Sequence, residues 1–314
     1  MHKISIVTVI FNIISNKNGK EYLEQMFKSI HNQDYENIEH LIIDGKSDDG
    51  TIEYLDFLKN KFASKPVKIF SEKDSGIYNA MNKGILKSEG EFIAFMNADD
   101  YYLENDAITL LYQAIINNEN VQFSCSNTAI LNLKKKIYLQ KADIYSAIYR
   151  MPFCHQTMLC KKELFYKYGL FDESFKISAD YDFILKIILG AERGIEIDKQ
   201  LVLFRLGGES YKNIKTNIEN VKNILFKFYN RKIITLEECK NLFLQKYKFK
   251  LFVKVIFFDI LDNKQIKNKY IKKLLLRKLK YISIISVISA IKRFLKFRLI
   301  FKPIENYIKK IKQK

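Results

Sequence analysis

The sequence predicts an α/β fold, a doubly wound and mostly parallel sheet flanked by helices, followed by a basic helical C-terminal extension. Three observations carry that expectation. Short apolar runs alternate with segments of helical apolar spacing through the first hundred residues. Glycine, serine and carboxylate residues gather where those runs stop. The charge is split: residues 1–210 hold 25 Lys and Arg against 29 Asp and Glu, net −4, whereas residues 211–314 hold 28 against 6, net +22.

The elements follow in order. Ile4 to Phe11 is a β-branched run of strand length, and Tyr22 to Ile30 places Leu23, Met26, Phe27 and Ile30 on one helical face. Glu39 to Asp44 reads as a second strand, stopped by Gly45-Lys46-Ser47-Asp48-Asp49-Gly50. A helix from Thr51 to Leu58, a strand from Val67 to Phe70 and a helix from Ile77 to Lys87 lead to a fourth strand, Phe92 to Met96. Beyond it, Ala107 to Ile116, Lys161 to Tyr168 and Asp180 to Leu189 have helical spacing. Val121 to Ala129 and Ile195 to Phe204 have strand character. Glycine disappears after Gly208 and lysine becomes interleaved with Ile, Leu and Phe, which sets a domain boundary near residue 210 to 220. The expected division is 1–210 and 211–314.

Cys125, Cys154, Cys160 and Cys239 form no Cys-x-x-Cys pair and no zinc-like spacing with histidine, as expected of reduced thiols in a reducing cytosol. Met1 to Ser5 enters a strand at once and shows no cleavable signal pattern. No stretch reaches the ~18 consecutive apolar residues of a spanning helix. Tyr281 to Ile291 is too short and carries three serines. The expectation is a cytoplasmic chain that does not cross the membrane.

Four constellations carry chemistry. Asp44 closes the second strand, where a carboxylate can accept hydrogen bonds from a base or ribose bound across the strand ends. Asp48 and Asp49 read instead as caps of the following helix. In Asp74-Ser75-Gly76-Ile77-Tyr78-Asn79-Ala80-Met81-Asn82-Lys83-Gly84, Asp74 or Ser75 can cap a helix that carries Asn82 and Lys83 toward the same cleft. The alternative is a capped helix with a solvated charged face. Asn97-Ala98-Asp99-Asp100 ends the fourth strand, and Mg²⁺ or Mn²⁺ binds through one or two carboxylates plus diphosphate oxygens. A simple Asp turn is the alternative there. Asp180, at the mouth of a helix, can act as a general base, and Asp182, two residues on, cannot share its face. His155 reads as structural when taken alone. Arg205, before Gly207-Gly208, can close over phosphates or form a surface salt bridge.

In this order, the segments resemble the family 2 glycosyltransferases of the GT-A fold, over residues 3 to about 210. The resemblance rests on Val7 to Asn12, Ile42 to Thr51, Asp74 to Gly84 and Phe95 to Asp100. It continues through His155-Gln156, Gly169 to Glu173, Ser178 to Tyr181 and Arg205 to Gly208. It implies a GT-A sheet, single displacement with inversion, Asp99 and Asp100 as metal ligands for Mg²⁺ or Mn²⁺, and Asp180 as catalytic base. It further implies donor contacts from Thr8, Val9, Asn12, Asp44, Asp74, Asn82, Lys83, Asn97, Ala98, Asp99, His155 and Arg205. Three departures stand out. Gly45 stands where many members have a second Asp, Asn97 replaces the first carboxylate of the acidic motif, and Ala179 replaces an acidic residue next to the base.

The implied partners are a nucleotide-sugar donor, UDP-linked by the resemblance, and a glycan or lipid-linked glycan acceptor of bacterial surface polysaccharide synthesis. Tyr247 to Phe258 and Ile271 to Phe301 mix Lys and Arg with apolar residues at near-helical spacing, as helices lying on an anionic membrane surface do. The expected location is therefore peripheral, on the inner face of the cell membrane. A helical bundle with solvated lysines is the alternative. Nucleic-acid binding lacks any supporting motif. Two other functional readings remain: a membrane- or nucleic-acid-binding protein with a degenerate transferase domain, and a sugar nucleotidyltransferase. Asn12 to Asn16 offers no Gly-rich basic loop for the latter.

Overall fold

The computed structural model describes residues 1–148 and 150–228. The first half alternates as expected: β1 (Ile4–Ile10), α1 (Gly19–His31), β2 (Ile38–Asp44), α2 (Thr51–Lys61), β3 (Val67–Ser71), α3 (Ile77–Lys87) and β4 (Phe92–Phe95). Then follow β5 (Tyr101–Tyr102), α4 (Ala107–Ile116), β6 (Val121–Leu131), β7 (Ile137–Gln140), β8 (Leu159–Lys161), α5 (Glu163–Tyr168) and α6 (Ala179–Leu189). The described chain closes with β9 (Arg193–Arg205), α7 (Glu209–Lys212) and α8 (Ile214–Phe228). The strand order is β3-β2-β1-β4-β8-β6-β9-β5, with β7 beside β6.

The pairings of β3, β2, β1 and β4 are parallel, as βαβ crossovers require. Past β4 the sheet becomes mixed. β8 runs antiparallel between β4 and β6, and β6 pairs in parallel with β9 across three register shifts. Helical spacing had suggested a helix starting at Lys161. The Phe92–Lys161 pairing holds that start in the sheet, and α5 begins two residues later.

Strand parity builds the layers. Ile4, Ile6 and Ile10 join Leu23, Met26, Phe27 and Ile30 of α1 and Leu55 and Leu58 of α2 in one buried cluster. Val7, of opposite parity, faces α3 across Gly84, where an added Cβ would lie 2.3 Å from Val7 Cγ1. This contact lets α3 lie close on the sheet and brings its polar residues to the ends of the strands.

The residue-210 boundary precedes a helix that still packs on this unit. Val221, Ile224 and Leu225 of α8 are buried. Asn217 Oδ1 accepts from Ser178 Oγ at 2.7 Å, and Asn220 Nδ2 donates to the Ile177 carbonyl at 2.7 Å. Ser178 has φ +74°, so α8 braces a strained residue at the start of α6. Cys125, Cys154 and Cys160 are free thiols. Among the described residues no helix is long and apolar enough to cross a membrane. Cys239 and the basic segments Tyr247 to Phe258 and Ile271 to Phe301 lie outside the described residues.

Gly84→Ala is expected to cost about 1–3 kcal/mol, because the new methyl meets the stiff side chain of a buried valine. Urea unfolding of the two proteins checks this.

Candidate active site

β4 carries the chain to the ends of the parallel strands, where Asp100 N–H closes a turn on the Asn97 carbonyl at 3.2 Å. The Asp100 carboxylate is wholly buried. Its Oδ1 accepts from the Arg205 backbone N–H at 2.8 Å, and its Oδ2 accepts from Gln156 Nε2 at 2.7 Å and Asn97 Nδ2 at 3.4 Å. Burial, and then the charge of Asp99, push the Asp100 carboxyl well above the usual carboxylate range. Its oxygens face inward and are already taken by donors that fix the loop.

Arg205 is engaged within the chain. Its guanidinium donates to the Asp99 carbonyl and to Gln25 Oε1, and lies 4.3 Å from the Tyr22 ring centre and 5.0 Å from that of Tyr101. Two cation–π contacts and two hydrogen bonds hold it beside the acidic loop, and among the described residues it forms no ion pair.

Asp99 is the outward carboxylate. No side chain among the described residues is hydrogen-bonded to that carboxylate, and a Cβ on Gly208 would meet its Oδ2 in ordinary van der Waals contact at 3.8 Å. Burial raises the Asp99 carboxyl, opposed by the charges of Arg205 and Lys212. Among the described residues no group of three or more His, Cys, Asp or Glu could hold a metal ion. A single hard carboxylate beside a second buried one still fits Mg²⁺ or Mn²⁺, which take the rest of their ligands from phosphate and water.

At the start of α6, Asp180 Oδ1 accepts from Tyr78 Oη at 2.9 Å, and Oδ2 lies 3.1 Å from His155 Nδ1. Burial pushes the Asp180 carboxyl up. The hydrogen bond and charge of His155, the Tyr78 hydroxyl and the Tyr181 N–H outweigh it, and the net shift is downward. Tyr78 is driven the other way, well above its ordinary value, by burial and by Asp180. It stays protonated and donates. Asp182 turns away and pairs with Lys186 at 2.6 Å.

One short turn joins these two halves. His155 and Gln156 are neighbours in the 3₁₀ turn His155–Thr157, and the first reaches Asp180 while the second reaches Asp100. The convergence registers on the preceding residue. Burial and the charges of Asp100, Asp180 and Asp99 push the Cys154 thiol well up. His155 thus sits against the candidate base, and its Nε2 is buried without a partner among the described residues.

Several other residues expected to contact the donor bond within the chain. Asp44 is fully buried and accepts from Lys46 N–H and Ser47 N–H at 3.0 Å each, Ser47 Oγ at 2.5 Å and Ser71 Oγ at 2.7 Å. These bonds tie the carboxylate to the loop that follows β2 and to the end of β3. Thr8 shares the parity of Ile6 and Ile10 and is buried toward α1, 3.0 Å from His40 Nε2. Asn82 clamps the Phe171 backbone in both directions, at 3.0 and 2.9 Å, and also donates to Glu173. Lys83 donates to the Lys73 carbonyl at 2.8 Å and lies 3.7 Å from Glu72. Asn12 has φ +46° and exchanges two hydrogen bonds with Asp48. Asp49, expected as a cap, accepts from Thr51 N–H at 3.1 Å and from Ser15 N–H at 2.7 Å.

What remains open at the rim is Phe11, 64% exposed, together with partly exposed Val9, Asp74 and Asn97. Ala98 is buried. A Cβ on Gly45 would lie 2.7 Å from Asp74 Oδ2 and 3.1 Å from Phe11 Cδ2, so these three residues share one corner. Gln156, Tyr78 and Glu173 lie in segments that carry the resemblance but are given no role from sequence, and Gln25 lies outside them. Tyr78 carried a further signal, since it lies one helical turn before Asn82 on the same face of α3.

The profile of Glycosyl transferase family 2 matches residues 11–175, just over half of the chain. An uncharacterized glycosyltransferase of Rickettsia typhi is 30% identical over 189 residues, covering 56% of this chain and 57% of the relative. The cholesterol galactosyltransferase of Borreliella burgdorferi is 26% identical over 214 residues, covering 61% of this chain and 57% of that protein. The chain therefore spans little more than half the length of either relative. Among solved structures, S. aureus TarS 1-349 in complex with UDP-GlcNAc superposes with TM-score 0.57 at 18% identity, over 82% of this chain and 79% of that one. The Pyrobaculum calidifontis mannosyltransferase PcManGT in complex with GDP-Man and Mn²⁺ superposes with TM-score 0.59 at 14% identity, over 98% of this chain and 83% of that one. At these identities the likeness is one of fold.

Asp44→Asn turns an amide toward donors that need an acceptor, and is expected to cost at least about 1–3 kcal/mol of stability. Thermal melts read this directly. A direct base-binding role would instead lower nucleotide affinity at unchanged stability.

Proposed function

We propose that this chain, which belongs to glycosyl transferase family 2, moves a sugar from a nucleoside-diphosphate donor to an acceptor hydroxyl with inversion at the anomeric carbon. The observation that carries this reading is that the His155–Gln156 turn joins Asp100, the neighbour of Asp99 in the acidic loop, to Asp180, ionised at the helix mouth. UDP is the favoured nucleotide. The fold relatives bound to UDP-GlcNAc and to GDP-Man with Mn²⁺ support a donor of this class and a divalent ion.

The geometry supports the following roles. Asp180 is held as a carboxylate by Tyr78 and His155, so it is ready to accept a proton near neutral pH. As the acceptor oxygen loses that proton and bonds to the anomeric carbon, the bond from that carbon to the diphosphate oxygen breaks. The nucleoside diphosphate leaves with the electron pair. Asp99, with Asn97 alongside, would hold Mg²⁺ or Mn²⁺, which when bound supplies Lewis-acid stabilisation of the diphosphate. Phe11 offers an exposed ring for the base, and Asp74 a carboxylate in the corner that a side chain at position 45 would fill. Gly45 and Asp74 thus account together for the departure from the usual second Asp. Asp44, Asn12, Asn82 and Lys83 act by holding the loops that carry these groups.

The acceptor in this reading is a glycan or lipid-linked glycan met at the inner face of the bacterial membrane, with residues 211–314 contributing a basic membrane contact. A relative named for galactosylating cholesterol accords with an acceptor that resides in a bilayer.

A screen of UDP-, GDP- and dTDP-sugars with Mn²⁺ identifies the donor, and two variants test the roles. Asp99→Asn is expected to abolish metal-dependent nucleotide binding. Asp180→Asn should retain that binding and lose about 10²–10⁴-fold in transfer. Transfer undiminished in Asp180→Asn, or metal-dependent binding intact in Asp99→Asn, would remove the assignment. The pH profile gives a separate check. With His155 and Tyr78 holding the Asp180 carboxyl below its ordinary value, the ionised form persists until the pH falls through that lowered pKa. His155→Gln leaves burial dominant, so the acid limb of transfer activity is expected to move to higher pH.

A further inference from the structure

The β6–β7 hairpin presents a surface that the donor and base sites leave unused. Its turn is built by Asn132, whose Oδ1 accepts from Lys134 N–H at 3.0 Å and Lys136 N–H at 2.9 Å while Lys135 sits at φ +57°. Residues 133–139 are exposed without interruption. Four of them are large and apolar or aromatic: Leu133 at 64%, Ile137 at 59%, Tyr138 at 54% and Leu139 at 66%. The other three are Lys134, Lys135 and Lys136, and residues 131–142 contain no Asp or Glu. Among the described residues none of these three lysines is in an ion pair, and β7 pairs with β6 alone.

Water solvates the lysines but not the leucines, and a protein partner of ordinary composition would need a matching acidic rim. We propose that this hairpin docks on an anionic lipid bilayer. Apolar side chains at its tip and along β7 enter the acyl boundary while the neighbouring ammonium groups meet lipid phosphates. Lysines crowded at an edge strand oppose edge pairing with a second copy of the chain. This contact belongs to the transferase unit itself and is separate from the basic residues after 211. It also has a consequence for the site. Leu206 N–H donates to the Leu131 carbonyl at 2.9 Å, and Leu133 Cδ2 would lie 3.3 Å from a Cβ on Gly207. The hairpin therefore springs from the segment that holds Asp100 and flanks Asp99, and docking sets the acidic loop beside the lipid surface.

The sequence has no tryptophan, so Leu139→Trp in the full chain is a single local reporter at an exposed position, with Leu133→Trp as a second. With phosphatidylglycerol vesicles the emission is expected to shift to shorter wavelength and to be quenched by brominated acyl chains. Neither change is expected with phosphatidylcholine. Reversing Lys134, Lys135 and Lys136 to Glu in the reporter background should raise the lipid concentration at half-response on the order of a hundredfold, at unchanged thermal stability. Emission unaltered by phosphatidylglycerol while the chain co-floats with the vesicles would place the contact elsewhere and overturn the proposal. A blue shift that grows with protein concentration without lipid would make a second copy the occupant, and overturn it equally.

Discussion

His155 and Gln156 occupy one short turn, and their side chains diverge to two carboxylates that the chain supplies eighty residues apart. Gln156 donates to Asp100, which in turn accepts from the Arg205 backbone and so fastens the acidic loop to β9. His155 pairs with Asp180 at the head of α6. A displacement of this turn moves the loop and the candidate base together. Removing one partner from a buried charged hydrogen bond costs far more than the bond contributes net, because the remaining group is left desolvated. The acidic loop and the head of α6 are thus tied to one turn by way of Asp100 and Asp180.

The same economy recurs around the rim. Arg205 is held between Tyr22 and Tyr101, Asp44 is held by two serines and two backbone amides, and Asn82 binds the Phe171 backbone in both directions. Each is a polar residue of a recognisable motif turned inward, and each leaves a neighbour turned outward: Asp99, Asp74 or Phe11. The motif residues divide into those that shape loops and those that face the cleft. α8 extends the scheme past residue 210, where Asn217 and Asn220 steady Ser178 and Ile177 just ahead of Asp180.

Much of this was legible in the sequence. The alternation of apolar periods gave the parallel β3-β2-β1-β4 core, and the strand-end position of Asp99 and the helix-start position of Asp180 marked both carboxylates. Thr8 could also have been placed, because it shares strand parity with Ile4, Ile6 and Ile10 and had to face α1. The inward turn of Asp100 and Arg205 was not legible. It depends on Gln156, Gln25 and Tyr22, which are far off in sequence and carry no local pattern. The mixed half of the sheet was hidden for the same reason, since β8 is three residues long and owes its state to strands on either side.

A crystal structure of the full chain with a UDP-sugar and Mn²⁺, with the ion located by its anomalous signal, tests the division of the acidic motif most directly. The expected result is Mn²⁺ on the Asp99 carboxylate and the diphosphate oxygens, with Asp100 still bonded to Gln156 and the Arg205 amide. Mn²⁺ ligated by Asp100, with Gln156 swung away, would contradict it.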